Sequence, residues 1–135
     1  MGFVRRMVGA AVLIAVLAGG LMIVASESGE VVTLHTYDAG GGSHSTRVWI
    51  VDDAGVSWLR AGQPTSSWYQ RILENPEIEV VRGGESHDYT AFPIEGGPTV
   101  DHVDALMSRK YGWADGLIGA MVDRSHAVAI RLDPR

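Results

Sequence analysis

The sequence predicts a mainly β, α+β fold: a small antiparallel barrel with short helices, preceded by one N-terminal transmembrane helix. Three observations predict it. Residues 7–25 form an uncharged, almost wholly apolar run. Strand-like alternation then recurs at short intervals, broken at turns such as Asp52-Asp53-Ala54-Gly55 and Gly83-Gly84. Helical spacing of apolar residues is confined to short later stretches, so the strands dominate the domain. The 135 residues suffice for one modest core and a tether. The expected division is residues 1–26, an anchor or signal peptide, and residues 27–135, the barrel domain.

The first element is the apolar run MVGAAVLIAVLAGGLMIVA, Met7 to Ala25. At about 1.5 Å per residue a helix of this length approaches the ~30 Å hydrocarbon core. Arg5 and Arg6 precede it, and Glu27 and Glu30 follow. Basic residues stay cytoplasmic, which places the domain outside the cytoplasm. A cleaved signal peptide is the rival, since Val24-Ala25-Ser26 offers small residues; the domain is then exported. The run exceeds a usual signal-peptide core of roughly 7–15 residues, and this favours an uncleaved anchor.

Net charge is −5, and outside Arg5 and Arg6 the chain carries 9 basic against 16 acidic residues. An acidic domain repels a phosphate backbone, which argues against nucleic acid as a partner. With no cysteine, disulfides, thiol catalysis and thiolate metal sites are excluded. The five histidines are dispersed without metal-ligand spacing, so no metal site is expected. There is no GxSxG elbow, and no acid, base or nucleophile can be assigned.

After a polar linker, 26–30, residues 31–37 (VVTLHTY) read as a strand, and 38–43 (DAGGGS) as a flexible loop. Residues 45–51 and 56–61 should pair as a hairpin over Asp52-Asp53-Ala54-Gly55. A loop centred between Asp53 and Ala54 sets Val51 against Val56, Trp49 against Trp58 and Arg47 against Arg60 on one face. Val48, Ile50 and Leu59 then take the other face, which suits a core. Two arginines facing each other repel. Either an anionic ligand lies between their guanidinium forks, or each has its own salt bridge, with Asp38 and Glu85 as candidate partners.

Gly62-Gln63-Pro64 ends the strand. Thr65 or Ser66 can cap a helix to about Glu74, stopped by Asn75-Pro76 with Asn75 suited to a left-handed position. The amides at Ser66 and Ser67 would form an anion site close to Arg60, although capping alone explains the serines equally well. Residues 77–82 and 85–94 form a second hairpin over Gly83-Gly84, placing Arg82 opposite Glu85, His87 opposite Val80 and Tyr89 opposite Ile78. Val100, Val103, Leu106 and Met107 mark a helix to Tyr111, and Trp113 to Val122 a second one. Residues 125–132 close the sheet. Five or six antiparallel strands with a helical insertion make a small, partly open barrel.

From Val31 to Pro134 the chain resembles the deazaflavin (F420)-dependent nitroreductase family, also called the F420H2-dependent quinone reductases, of the flavin/F420-binding split β-barrel superfamily. The residues that carry the resemblance are Arg47 before a strand pair, LRAGQPTSSWYQRILENPEIEVVRGG from Leu59 to Gly84, and DRSHAVAIRLDP from Asp123 to Pro134. The loop YDAGGGSHST before Arg47 lacks the basic residues usual there in the family. The resemblance implies a split β-barrel oxidoreductase that passes hydride or two electrons between F420 or FMN and a small acceptor such as a quinone or nitro compound. By position it assigns cofactor binding to Ser45, Thr46, Arg47, Arg60, Gly62, Gln63, Ser66, Ser67, Trp68 and Tyr69. It also implies a homodimer. The alternative is a non-catalytic, membrane-tethered barrel that binds an anionic small molecule or a partner protein.

Overall fold

The computed structural model describes residues 2–27 and 29–135, apart from the Ser26 side chain. Met1 and Ser28, the latter within the predicted linker, lie outside the described residues. A long helix α1 (Gly2–Ser26) leads into β1 (Val31–Tyr37), β2 (Ser43–Asp53) and β3 (Val56–Ala61). Helix α2 (Ser67–Glu74) precedes β4 (Glu77–Arg82) and β5 (Glu85–Glu95). Helices α3 (Gly97–Tyr111) and α4 (Trp113–Met121) precede β6 (Val128–Pro134). The strands form a closed barrel in the order β1-β2-β3-β6-β5-β4, with every neighbouring pair antiparallel. The expected partly open barrel is therefore closed, because β4 pairs back onto β1 through Thr33–Val81, Leu34–Val80 and His35–Glu79. Closure removes the unpaired edges that an open sheet would expose.

The hairpin β4–β5 has the predicted register, with Arg82 opposite Glu85, Val80 opposite His87 and Ile78 opposite Tyr89. Gly83 and Gly84 take φ of 58° and 81°, the left-handed pair that a two-residue hairpin turn demands. The hairpin β2–β3 differs from expectation. Its turn is Ala54-Gly55, with φ of 50° and 81°, and Asp53 pairs with Val56, Val51 with Trp58 and Ile50 with Leu59. The loop centre lies one residue later than predicted, which moves each partner by two. Arg47 is therefore not opposite Arg60; continuing the register sets Trp49 level with Arg60. Two causes act together. Gly55 suits the second turn position, and both aspartates stay in the strand to hold side-chain partners. Asp52 accepts bonds from Ser57 and Arg82, and Asp53 lies 2.8 Å from His102. A shift of two leaves each side chain on its predicted face.

Helix α2 begins after Ser66, which makes no side-chain cap bond. Asn75 ends the helix in an extended conformation at φ −140°, not in the left-handed one expected, and its Oδ1 accepts the Glu77 N–H at 3.2 Å. The triple-glycine loop is organised around Asp38, whose carboxylate accepts the N–H groups of Gly40 and Gly42 and contacts His44 Nε2 at 2.8 Å.

Alternation sends Val32, Leu34, Ile50, Leu59, Ile78, Val80, Ile130 and Leu132 into the barrel, where Tyr69 and Ile72 of α2 join them. Burying each such aliphatic side chain stabilises by roughly 1.5–3 kcal/mol. Arg71 Nε ties α2 to β1 by donating to the buried Thr36 Oγ1 at 2.7 Å. A second core forms on the outer wall, where Val51, Ala127 and Ala129 meet Val100, Val103, Met107 and Tyr111 of α3, flanked by Trp49, Trp58 and Leu106. Both faces of β2–β3–β6 are thus apolar, and the outer one needs α3 as its cover.

Helix α1 is long and apolar enough to cross a membrane, with a mean hydropathy of 2.6 over its most apolar window. Most of its side chains are exposed. The covered residues, Ala18, Met22 and Ala25, recur at i, i+4 and i+7, and the helix that α1 packs against is α4.

Candidate functional site

A cleft of about 220 Å³ opens between the outer barrel wall and the helices. Strand β2 contributes Arg47, Val48 and Trp49, and the end of β3 contributes Arg60 and Gly62. Trp68 comes from the first turn of α2, Met107 from α3, Ile118 from α4, and Val122 and Arg124 from the segment leading to β6. Trp49, Trp68, Met107, Ile118 and Val122 make the apolar surface, and the three arginines supply its charge.

Trp49 is held in place by a stack. Its ring lies 4.1 Å from that of Tyr111, with planes 4° apart. The Tyr111 hydroxyl accepts the Ile50 N–H at 3.1 Å and donates to the Glu30 carbonyl at 2.6 Å. Burial pushes the Tyr111 hydroxyl up to about 12, so it stays protonated. Glu30 in turn joins Arg82 and Lys110, whose hydrogen bonds hold its carboxyl below the usual range. Arg82 also forks onto Asp52, whose pKa falls to about 2. Opposite Glu85 by backbone register, Arg82 thus spends its guanidinium on Glu30 and Asp52.

The three cleft arginines each have a carboxylate. Arg47, 56% exposed, forks onto Glu27 with contacts of 2.9–3.1 Å. Arg60, 7% exposed, donates to Asp104 at 3.1 Å and to Asp115 at 2.6 Å. Arg124 donates to the same Asp115 oxygen at 2.6 Å and to the Asp115 carbonyl at 3.2 Å. Burial alone would raise the Asp115 carboxyl, but the hydrogen bonds from Arg60 and Arg124 outweigh it and hold the group below its ordinary value. The predicted confrontation of Arg47 and Arg60 therefore does not arise, and of the two explanations offered for it, separate salt bridges are what the structure contains. The partners are not those expected. Asp38 is engaged with His44, and Glu85 faces His87 at 3.7 Å.

Of the residues assigned from sequence, Arg47, Arg60, Gly62 and Trp68 come together at the cleft. The others lie elsewhere. The Ser45 hydroxyl is 2.9 Å from His35 Nδ1, and Thr46 pairs with Leu34 across β1. Gln63, Ser66 and Ser67 are outside the lining, and Tyr69 is buried in the barrel with its hydroxyl on Glu95 at 3.2 Å. Sequence reasoning missed the cleft role of Val48 and Trp49, next to Arg47 on β2, and of four residues far from it in the chain, Met107, Ile118, Val122 and Arg124. The elements around those four were legible, but nothing local marks them as neighbours of β2.

The lining suits a flat aromatic ring better than a fully ionic ligand. A phosphate would have to compete with carboxylates at Arg60 and Arg124, whereas Arg47 is exposed enough to offer further donors. Among the described residues, no buried side-chain polar atom lacks a partner. A second, larger cleft of about 490 Å³, lined by Glu95, Asp101, Asp104, Arg124 and His126 among others, shares only Arg124 with the first.

No family model matches the chain, and no curated protein matches it in sequence. Solved structures do match in fold. One is an F420-H2 dependent reductase (FDR-A), with 25% identity, a TM-score of 0.60, and coverage of 76% of this chain and 93% of that one. Another is a putative pyridoxamine 5'-phosphate oxidase from Listeria innocua, with 14% identity, a TM-score of 0.61, and coverage of 88% and 94%. A third is HutZ, the heme storage protein of Vibrio cholerae, with 17% identity, a TM-score of 0.63, and coverage of 82% and 85%. The chain shares the split β-barrel fold of these proteins.

Proposed function

We propose that this chain is a membrane-anchored oxidoreductase that binds a flavin or F420 in the cleft beside β2 and reduces a small acceptor such as a quinone or nitro compound. The observation that carries the reading is the lining itself. Trp49, Trp68, Met107 and Ile118 offer an apolar slot for a ring, and Arg47 stands at its margin with an exposed guanidinium. The likeness in fold to an F420-H2 dependent reductase and to a pyridoxamine phosphate oxidase supports the class. The bound group would supply the hydride or two-electron chemistry. The chain's own residues would do the rest. Trp68 and the Tyr111-braced Trp49 flank the ring, Arg47 pairs with an anionic group, and Met107 and Ile118 exclude water. A homodimer is the proposed assembly; one solved structure that matches in fold, at 24% identity, is a domain-swapped dimer.

Helix α1 is proposed to remain as the anchor, with the barrel outside the cytoplasm. Its hydropathy and length support a span, and the basic pair Arg5-Arg6 supports the orientation.

The test is a titration of the full chain in detergent with FMN and, separately, with F420, followed by cofactor fluorescence. Saturable binding that weakens roughly two- to tenfold in Trp68→Ala is the expected result, since stacking on an aromatic ring is worth ~0.5–1.5 kcal/mol. No saturable binding of either compound overturns the reading.

A second reading has one observation in its favour. All three cleft arginines are already paired with carboxylates, and Arg60 and Arg124 share the buried Asp115. That arrangement suits a tethered module without redox chemistry, whose charges serve the fold. It predicts full thermal stability with no cofactor response.

A further inference from the structure

The outer side of α4 is uncharged. The only charged residue of the helix, Asp115, points inward to Arg60 and Arg124. Ala114 is buried with it, and Ile118 faces the cleft. What remains outside is Trp113, 58% exposed, Met121, 44% exposed, and Gly116 and Ala120, with Leu117 half-buried between them. None of these carries a charge. Charged residues resume immediately on both sides, with Arg109 and Lys110 before the helix and Asp123 and Arg124 after it.

Position in depth is the second, independent observation. Helix α1 packs against α4, and its covered stripe is Ala18, Met22 and Ala25. Those residues belong to the uncharged run 7–25. At about 1.5 Å per residue the whole run is only just long enough for a ~30 Å hydrocarbon core. None of it can therefore be spared to stand clear of the bilayer. A helix in contact with the stretch 18–25 must lie at the level of the outer leaflet and its headgroups.

We propose that α4 is an interfacial helix, seated in the headgroup region of the bilayer, with Trp113 and Met121 directed into lipid. The partner of this surface is the lipid itself. Tryptophan at one end of an uncharged helix face is the side chain suited to that boundary, with an apolar ring and one N–H donor. The consequence for the site follows from Ile118, which carries the cleft wall on the other side of the same helix. The cleft then lies within one helix diameter of the membrane, and an acceptor dissolved in the bilayer reaches it without crossing water. The inference rests on α1 being an uncleaved anchor, and it does not depend on which cofactor is bound.

The experiment uses the full chain in lipid nanodiscs containing phospholipids brominated either near the headgroup or near the chain end. Tryptophan fluorescence is compared between wild type and Trp113→Phe, a substitution that keeps an aromatic ring at the position. The difference between the two reports Trp113 alone. The expected result is that this component loses about half or more of its intensity with bromine near the headgroup and much less with deep bromine, as for a helix lying about 5–10 Å into the boundary. Aqueous iodide should leave it largely unquenched. Strong iodide quenching without bromine quenching places α4 in water and overturns the proposal while leaving the anchor intact. Protection from both quenchers means that a second copy or another protein covers α4, and also overturns it. Recovery of a chain lacking residues 1–25 from cells removes the anchor and the proposal together, whereas failure of FMN or F420 to bind touches neither.

Discussion

Asp115 is the residue whose loss should be felt most. It is 8% exposed, and one of its oxygens takes hydrogen bonds of 2.6 Å from both Arg60 and Arg124. Replacing it by Asn keeps the shape but removes the negative charge and sets an amide donor against guanidinium donors. Arg124 is 19% exposed and can turn toward solvent. Arg60 is 7% exposed and cannot, so its charge stays buried with only Asp104 to offset it. Breaking a buried pair from one side costs about 3–5 kcal/mol, and the surviving Asp104 contact argues for the lower end, ~3 kcal/mol. In urea this is a midpoint shift of roughly 2 M for a domain of this size. The assay is equilibrium denaturation of the full chain in detergent, followed by tryptophan fluorescence, with Arg60→Met/Asp115→Leu as the companion variant. Removing both charges should restore most of the loss, because an apolar pair of similar volume tolerates the site. A loss below about 1 kcal/mol for Asp115→Asn, or a double variant no better than the single, would refute the view that this charge group is desolvated.

Three further outcomes follow from the geometry. Gly119→Ala puts a methyl group where the Arg124 guanidinium lies, so the side chain must leave Asp115. The gain of ~1 kcal/mol in helix propensity is then outweighed by a charge-assisted bond worth ~1.5–3 kcal/mol, while Gly116→Ala, which meets nothing, should stabilise; thermal melts of the two variants check the sign. The Asp52 carboxyl, held at about 2 by Arg82, contributes stability above its unfolded pKa of ~3.9 that is lost as pH falls toward 2. Discounted for its half-exposed position the effect is about 1 kcal/mol, and Asp52→Asn should flatten the stability profile over that window. Tyr111→Phe removes the hydroxyl that serves Glu30 and Ile50, and should cost about 1–2 kcal/mol and loosen Trp49, read as a change in near-ultraviolet dichroism.

Much of the fold was legible in local pattern. Strand alternation marked β1 and β3 to the residue, Gly83-Gly84 set the β4–β5 register, and the apolar spacing of Val100, Val103 and Met107 marked α3. These features are written within a few residues, since turns, caps and periodicity are short-range. The β2–β3 register was misplaced because Asp52-Asp53 has the composition of a turn, while its actual role depends on Arg82 and His102, 30 and 49 residues later.

The cleft was legible only in part for the same reason. Arg47 and Arg60 lie on the hairpin that its turn residues mark, and Gly62 and Trp68 follow from the family resemblance, so the sequence could name these four. Their surroundings could not be named that way. Arg60 meets its carboxylates 44 and 55 residues on, and Arg47 meets Glu27 twenty residues back. By itself the chain determined a β-rich domain behind a long apolar helix, because hydrophobic period and turn chemistry are properties of neighbours. Tertiary packing alone decided that both faces of β2–β3 are covered, that the arginines are neutralised by protein carboxylates, and that α4 lies against α1. Those outcomes depend on which helix covers the outer wall, and burial there forces each charge to find a partner wherever the fold brings one.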